Sequence, residues 1–209
     1  MKKLVLSIMI CIFACSIIAQ PAQDIRLPQP KKEGGMSLME ALAARKTGRS
    51  FSNRQIPMMQ LSSLLWAATG VNRDDGKLTV PTARNAQQID TYVYTATNVY
   101  LYMPKENMLK LVAEGDHRSD VGRQPFAAEA PVILVYVANY DKMQGWDEES
   151  RAFYGATDCG NIGQNVYLFC AANGLSTVEL GSIQRDKIKE LLGFNGRAQL
   201  AQPVGFPKE

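Results

Sequence analysis

Arg45, Lys46, Thr47 and Arg49 crowd two guanidinium groups, an ammonium and a hydroxyl into one short stretch of chain. This donor set suits a phosphate. Guanidinium forks match phosphate oxygens, and each charge-assisted hydrogen bond contributes roughly 1.5–3 kcal/mol. The same cations would also complement the dipole at a helix C-terminus. Both readings stand on the residues alone, because the cluster follows a short helical pattern. Ser37 and Glu40 have capping-box spacing, and Leu38, Met39, Ala41 and Leu42 supply apolar positions, so a helix is predicted over roughly Leu38 to Thr47.

Little else in the chain can do chemistry unaided. The 209 residues include one histidine, His117, in the polar run Glu114 to Asp120. A histidine-based triad is therefore excluded unless His117 is itself the base, and a multi-histidine metal site is impossible. A net charge of +3, with no basic face interleaved with aromatics, does not point to nucleic acid. Enzymes of this size without histidine chemistry mostly leave the difficult step to a cofactor. No side chain stands out as a general acid. Tyr154 is a candidate by position, although packing is the commoner role for a tyrosine at a helix start.

The first residues read as a leader. Met1-Lys2-Lys3 is basic, Leu4 to Ile18 is apolar apart from Ser7 and Ser16, and Ala19-Gln20 offers a small residue at the cut. The apolar run is shorter than the ~18–20 residues of a spanning helix. Residues 1–19 are expected to be a signal peptide. Ile12-Phe13-Ala14-Cys15 resembles a lipoprotein box and keeps lipidation of Cys15 open. Either route places the domain outside the cytoplasm, in the periplasm, with membrane attachment only if Cys15 is lipidated. Cys159 and Cys170 then remain, eleven residues apart in one predicted helix. That is ~16 Å along its axis, against the ~7 Å limit between disulfide Cα atoms, so no pairing is expected.

Residues 20–35, with Pro21, Pro28, Pro30 and Gly34-Gly35, read as an extended polar linker ahead of one domain, 36–209. A second helix is predicted from about Met59 to Thr69, stopped by Gly70. Thr91–Ala96 and Val99–Met103 read as a hairpin, and Val132 to Val137 as a strand covered on both faces. A long helix follows from Asp147 to Asn173, then a short strand-like run Leu175 to Leu180, an amphipathic helix Asp186 to Leu192 and a closing strand. The order is helices, hairpin, helix, strand, long helix, strand, helix, strand, which argues α+β. In the long helix, Ala156, Gly160 and Gly163 share a face nearly stripped of side chains. Each interior glycine costs about 0.5–1 kcal/mol relative to alanine, so close approach of another backbone, a flat ligand or a dimer seam is expected there.

Four motifs in order resemble those of the nitroreductase family of FMN-dependent oxidoreductases. Arg45, Thr47, Arg49 and Phe51 resemble its R-x-S-x-R-x-F, with Thr for Ser. Pro81-Thr82-Ala83-Arg84-Asn85-Ala86-Gln87 resembles P-S-x-x-N-x-Q. Asp158-Cys159-Gly160, Gln164-Asn165 and Gly174-Leu175 resemble D-x-G…Q-N and the G-L turn, and Gly205-Phe206-Pro207 resembles the closing G-x-P. Leu64–Gly70, the hairpin Tyr92–Tyr102 with Leu109-Lys110-Leu111, and Arg151…Tyr154-Gly155 resemble the SagB-type dehydrogenase branch, whose best-known members oxidise azolines.

The resemblance implies an α+β sandwich, a mostly antiparallel sheet flanked by helices, in an intertwined homodimer with FMN at the subunit seam. It implies that Arg45, Lys46, Thr47 and Arg49 hold the FMN phosphate and ribityl chain, and that Asn85 and Gln87 reach the flavin edge from the partner subunit. Val178, Leu180 and Gly181 would lie along the isoalloxazine face, and Lys208 would reach the phosphate if the tail folds back. The implied activity is ping-pong hydride transfer, with NAD(P)H as a possible donor and a nitroaromatic, quinone or azoline-like acceptor. The alternative is a non-catalytic flavin-binding or carrier protein on the same scaffold.

Overall fold

The computed structural model describes residues 22–208; the segment read as a leader, with Cys15 and Ala19, lies outside the described residues. At its centre is a seven-stranded sheet of β1 (Ile25–Arg26), β2 (Ile89–Thr95), β3 (Asn98–Met103), β4 (Met108–Glu114), β5 (Val132–Asn139), β6 (Ser176–Thr177) and β7 (Gly196–Gly205). The spatial order is β1-β4-β3-β2-β5-β7-β6, and every neighbouring pair is antiparallel. Four α-helices, α1 (Leu38–Ala44), α2 (Met58–Thr69), α3 (Glu148–Ala172) and α4 (Arg185–Leu192), complete the α+β sandwich that the sequence predicts.

β5 shows why there are two layers of cover. Val132, Leu134, Tyr136 and Ala138 face a core built with Leu61, Leu64, Leu65 and Ala68 of α2 and Cys159, Ile162, Val166 and Cys170 of α3. The alternate residues Ile133, Val135 and Val137 face a second core with Val178, Leu180, Ile188 of α4 and Phe194. The continuous apolar run thus reflects a strand buried on both faces. α3 is the longest helix and lies across the first face, against α1, α2, β5 and β7.

The helix boundaries follow local chemistry. Ser37 and Glu40 form the predicted capping box, and Asp147 caps α3 through Ser150 N–H at 2.6 Å. Gly174, with φ of 66°, turns the chain out of α3 where the sequence places its end. Cys159 and Cys170 are free and buried on α3, as expected.

Besides α1, which ends at Ala44 short of the expected Thr47, two features differ from expectation. The helix predicted between the hairpin and β5 is replaced by a third meander strand, β4, followed by short 3-10 turns at Arg118–Asp120 and Pro125–Glu129. Its register places Leu109 in the core opposite Tyr102 while Lys110 faces solvent. Within the segment read as linker, Ile25–Arg26 pairs with Leu109 and Met108 at the sheet edge, and Leu27 is buried. Among the described residues, no helix is long and apolar enough to cross a membrane.

Leu64, fully buried between α2, α3 and the sheet, tests how much this core contributes. Leu64→Ala is expected to cost about 2–5 kcal/mol, read as a lower urea midpoint.

Candidate functional site

α1 ends at Ala44. Arg45 already has an extended backbone (φ −56°, ψ 122°), so the cations lie beyond the last turn and not in it. The dipole reading is thereby confined to Arg45, the C-cap residue, since that effect fades beyond the helix end. What holds this loop is the sheet. Gly48 N–H donates to the Thr177 carbonyl at 2.9 Å, and Ser52 N–H donates to the Phe206 carbonyl at 2.9 Å. Phe51, itself buried, bridges to Pro207. A Cβ at Gly48 would overlap Ser176 Oγ, so a larger residue fits here only if that hydroxyl turns away. Phe51 and Gly205-Phe206-Pro207, read as separate motifs, thus form one joint.

The side chains of Arg45, Lys46 and Arg49 have no carboxylate within ion-pair distance and no hydrogen bond to protein among the described residues, the Arg45 backbone N–H alone donating to the Ala41 carbonyl at 2.9 Å. The Arg45 guanidinium instead lies 5.2 Å from the ring centre of Tyr167 on α3. The Tyr167 hydroxyl is 3.3 Å from Thr47 Oγ1 and accepts the Glu179 N–H at 2.9 Å. One phenol therefore joins the cationic loop to the Val178–Gly181 turn. Val178 and Leu180 are buried in the second core, and Leu180 exchanges both backbone hydrogen bonds with Ala201. Gly181 is exposed.

Glu179 accounts for part of the bare face of α3. A Cβ on Gly163 would overlap the Glu179 carboxyl, whose Oε1 is buried without a hydrogen-bond partner. Burial raises the Glu179 pKa. A Cβ on Gly160, by contrast, would meet nothing within 4 Å, and this residue is exposed together with Ala156.

Asn85 and Gln87 are elsewhere in the same chain. Their loop is tied to α3 at Asp158, nine residues before Tyr167 and so ~13 Å along the helix axis. Asp158, only 4% exposed, accepts from the Ala83 N–H at 3.1 Å and from the Gln88 side-chain amide. Arg84, Asn85 and Gln87 all have positive φ, of 54°, 53° and 47°. Such strain in non-glycine residues persists only where surrounding contacts enforce it, and it concentrates at functional loops. Those contacts include Gln87 N–H to Thr82 Oγ1 at 3.1 Å, Gln87 Nε2 to the Gly76 carbonyl at 3.0 Å, and Arg84 lying 4.6 Å over the Trp146 ring. Lys208 is also apart from Lys46. Lys46 lines a hollow with Gly48, Gly174 and Ser176, whereas Lys208 lines another with Asn53, Gln55 and Glu129. Tyr154 packs edge-on against Trp146 and Phe153.

The model of the nitroreductase family matches residues 42–206. The chain belongs to the nitroreductase family. The matched span takes in the 45–51 joint, the 81–87 loop and α3. A Methanocaldococcus jannaschii protein named as a nitroreductase is 28% identical over 192 residues, which span 87% of this chain and 96% of the relative. A crystal structure of a Ralstonia eutropha protein described as a nitroreductase superposes with a TM-score of 0.86 at 37% identity, covering 90% of this chain and 91% of the other. The NADPH:FMN oxidoreductase of Vibrio harveyi, solved with NAD+, shares the fold. Its TM-score is 0.63 at 19% identity, covering 82% and 69% of the two chains.

Tyr167 and the Glu179 side chain join the candidate site by their contacts, and the sequence motifs do not single them out. The signal for Tyr167 is its position four residues after Gly163, on the same helical face. Because the folded pKa of Glu179 is raised, ionising it opposes folding, and the penalty is absent at low pH, where the group is protonated in both states. Glu179→Gln is therefore expected to stabilise the flavin-free chain at pH 8. That gain should shrink as pH falls through the raised pKa and vanish below the ordinary glutamate range, as read from paired urea titrations.

Proposed function

We propose that this nitroreductase-family chain is an exported FMN-dependent oxidoreductase, working as a homodimer by ping-pong hydride transfer. The observation that carries the reading is the set of three uncompensated cations, Arg45, Lys46 and Arg49, on a loop pinned to the sheet. Leaving them without carboxylates suits an incoming anion. The donor set fits a phosphate ester in number and chemistry, with two guanidinium forks, one ammonium and the Thr47 hydroxyl.

In this reading Arg45, Lys46, Thr47 and Arg49 hold the phosphate and ribityl chain. The backbone of Val178, Leu180 and Gly181 flanks the ring system, and Asn85 and Gln87 of the partner subunit meet the flavin edge. Bound FMN supplies the hydride chemistry, and the chain's own residues bind and orient it. Gln87 spends its amide nitrogen on Gly76 and Asn85, which leaves its Oε1 as an acceptor beside a free Asn85 Nδ2 donor. Tyr154 packs edge-on against Trp146 and Phe153, and in this reading the proton is taken from water rather than from that side chain.

Several features support the homodimer. Leu38 and Met39 on α1 are 64% and 72% exposed, Met58 and Met59 begin α2 in exposed positions, and Phe153 is 61% exposed on α3. The open Gly160 face of α3 would admit a second helix. Within one chain, moreover, the Asn85 loop and the Arg45 loop lie at different stations along α3, which suits a site shared between subunits. NAD(P)H or another reductant would be the donor. The acceptor would be a nitroaromatic, a quinone or, by the SagB-type resemblance, an azoline-like ring. Export rests on the leader-like residues 1–19, with lipidation of Cys15 as the route to a membrane-held form.

Purified chain should carry a yellow chromophore released as FMN at about one per subunit. Arg45→Ala is expected to weaken FMN retention by about tenfold or more, since it removes a charge-assisted contact. Full occupancy in that variant, measured by visible absorbance after dialysis, would remove the phosphate assignment. Steady oxidation of NAD(P)H or a dithiol by the flavin-loaded protein separates the enzyme from a flavin carrier.

A further inference from the structure

We infer that Tyr167 is a positioning residue that aims the Thr47 hydroxyl proton at the bound ligand's phosphate. The inference rests on the FMN reading above and adds a residue to it.

The direction of the hydrogen bonds carries the argument. The Tyr167 oxygen accepts the Glu179 N–H at 2.9 Å. A backbone amide can only donate, so the phenol keeps its own proton free to give. The polar side-chain group beside it is Thr47 Oγ1, at 3.3 Å. Once Thr47 accepts that proton, its own hydroxyl proton must point elsewhere. Thr47 is exposed and makes no other hydrogen bond among the described residues, so its proton faces outward, on the same loop as Arg45, Lys46 and Arg49.

A polarised line results, from Glu179 N–H through Tyr167 O–H to Thr47 O–H and on to a ligand oxygen. Each donor in such a line strengthens the next. At 3.3 Å the central contact is slack for two hydroxyls. An anionic acceptor beyond Thr47 draws that proton outward and tightens the line. The ring adds a second role, because Arg45 rests on its face at 5.2 Å, so one side chain orients two of the proposed phosphate donors. The other end of the line is the turn proposed to flank the flavin ring. Tyr167 therefore also fixes the spacing between the parts of the site that hold the two ends of FMN.

Tyr167→Phe removes one oxygen and keeps the ring under Arg45. FMN is titrated into flavin-free wild type, Tyr167→Phe, Thr47→Val and the double variant, with quenching of flavin fluorescence giving Kd. Each single substitution is expected to weaken binding about tenfold, and the double variant should bind no more weakly than Thr47→Val. Thr47→Ser should restore wild-type affinity. A purely packing role for Tyr167 would leave FMN affinity unchanged in Tyr167→Phe, which keeps the ring, and would leave any effects of the two substitutions additive. Additivity, or wild-type affinity in Tyr167→Phe, overturns the inference. Should Tyr167→Phe fail to fold, equal affinities of Thr47→Ser and Thr47→Val overturn it instead. A wild-type chain that takes up no FMN removes the functional reading and this inference together, an outcome visible before any variant is made.

Discussion

The double burial of β5 is the constraint on which the rest of the structure depends. A strand whose consecutive residues are all apolar must be covered on both faces, and one chain of this length has few elements to spend on the task. α2 and α3 take one face, and α4 with the turns at 118–129 takes the other. With α3 committed to β5 and β7, its two halves fall beside different loops. Asp158 then reaches the 81–88 segment, while Tyr167 reaches the 45–49 segment and the turn after β6. The candidate site is built by a helix whose first duty is core packing.

The two loops are held by different physics. The 45–52 segment is unstrained and stitched by backbone hydrogen bonds to β6 and the chain end, leaving its charged heads free. The 82–87 segment keeps three non-glycine residues in the left-handed region, each at a cost of order 1–3 kcal/mol. A buried carboxylate, an amide network and a stacked guanidinium oppose that strain. A loop so restrained presents its polar side chains with little entropy left to lose on binding.

Much of this is legible in the sequence where one local rule decides the outcome. The capping box at Ser37, the stop at Gly70, the hairpin, the doubly buried β5 and the limits of α3 all follow from short-range patterns, and the structure agrees with each. The cationic cluster and its motif partners are legible too, but not their spatial grouping. Pairing of Phe51 with Pro207 is a contact between the two ends of the domain that no local pattern encodes. β4 escapes a sequence reading because Met108–Glu114 is short, and its alternation of Leu109, Lys110 and Leu111 gains meaning only beside β3. Tyr167 escapes it because its neighbours in the chain are core residues, and its role depends on two segments remote in sequence.

Both outermost strands, β1 and β6, are only two residues long. Each covers two residues of a longer neighbour and then stops, and the uncovered stretches carry residues that discourage pairing, Lys110 and Glu114 on β4 and Pro203 on β7. Strand-to-strand recruitment, the usual entry to fibrous aggregates, is thus poorly templated here. Self-association is left to the helical surface, where the apolar side chains of α1 and α2 stand exposed. An exposed helical face of this kind suits the closed pairing of two copies proposed above rather than an open-ended one.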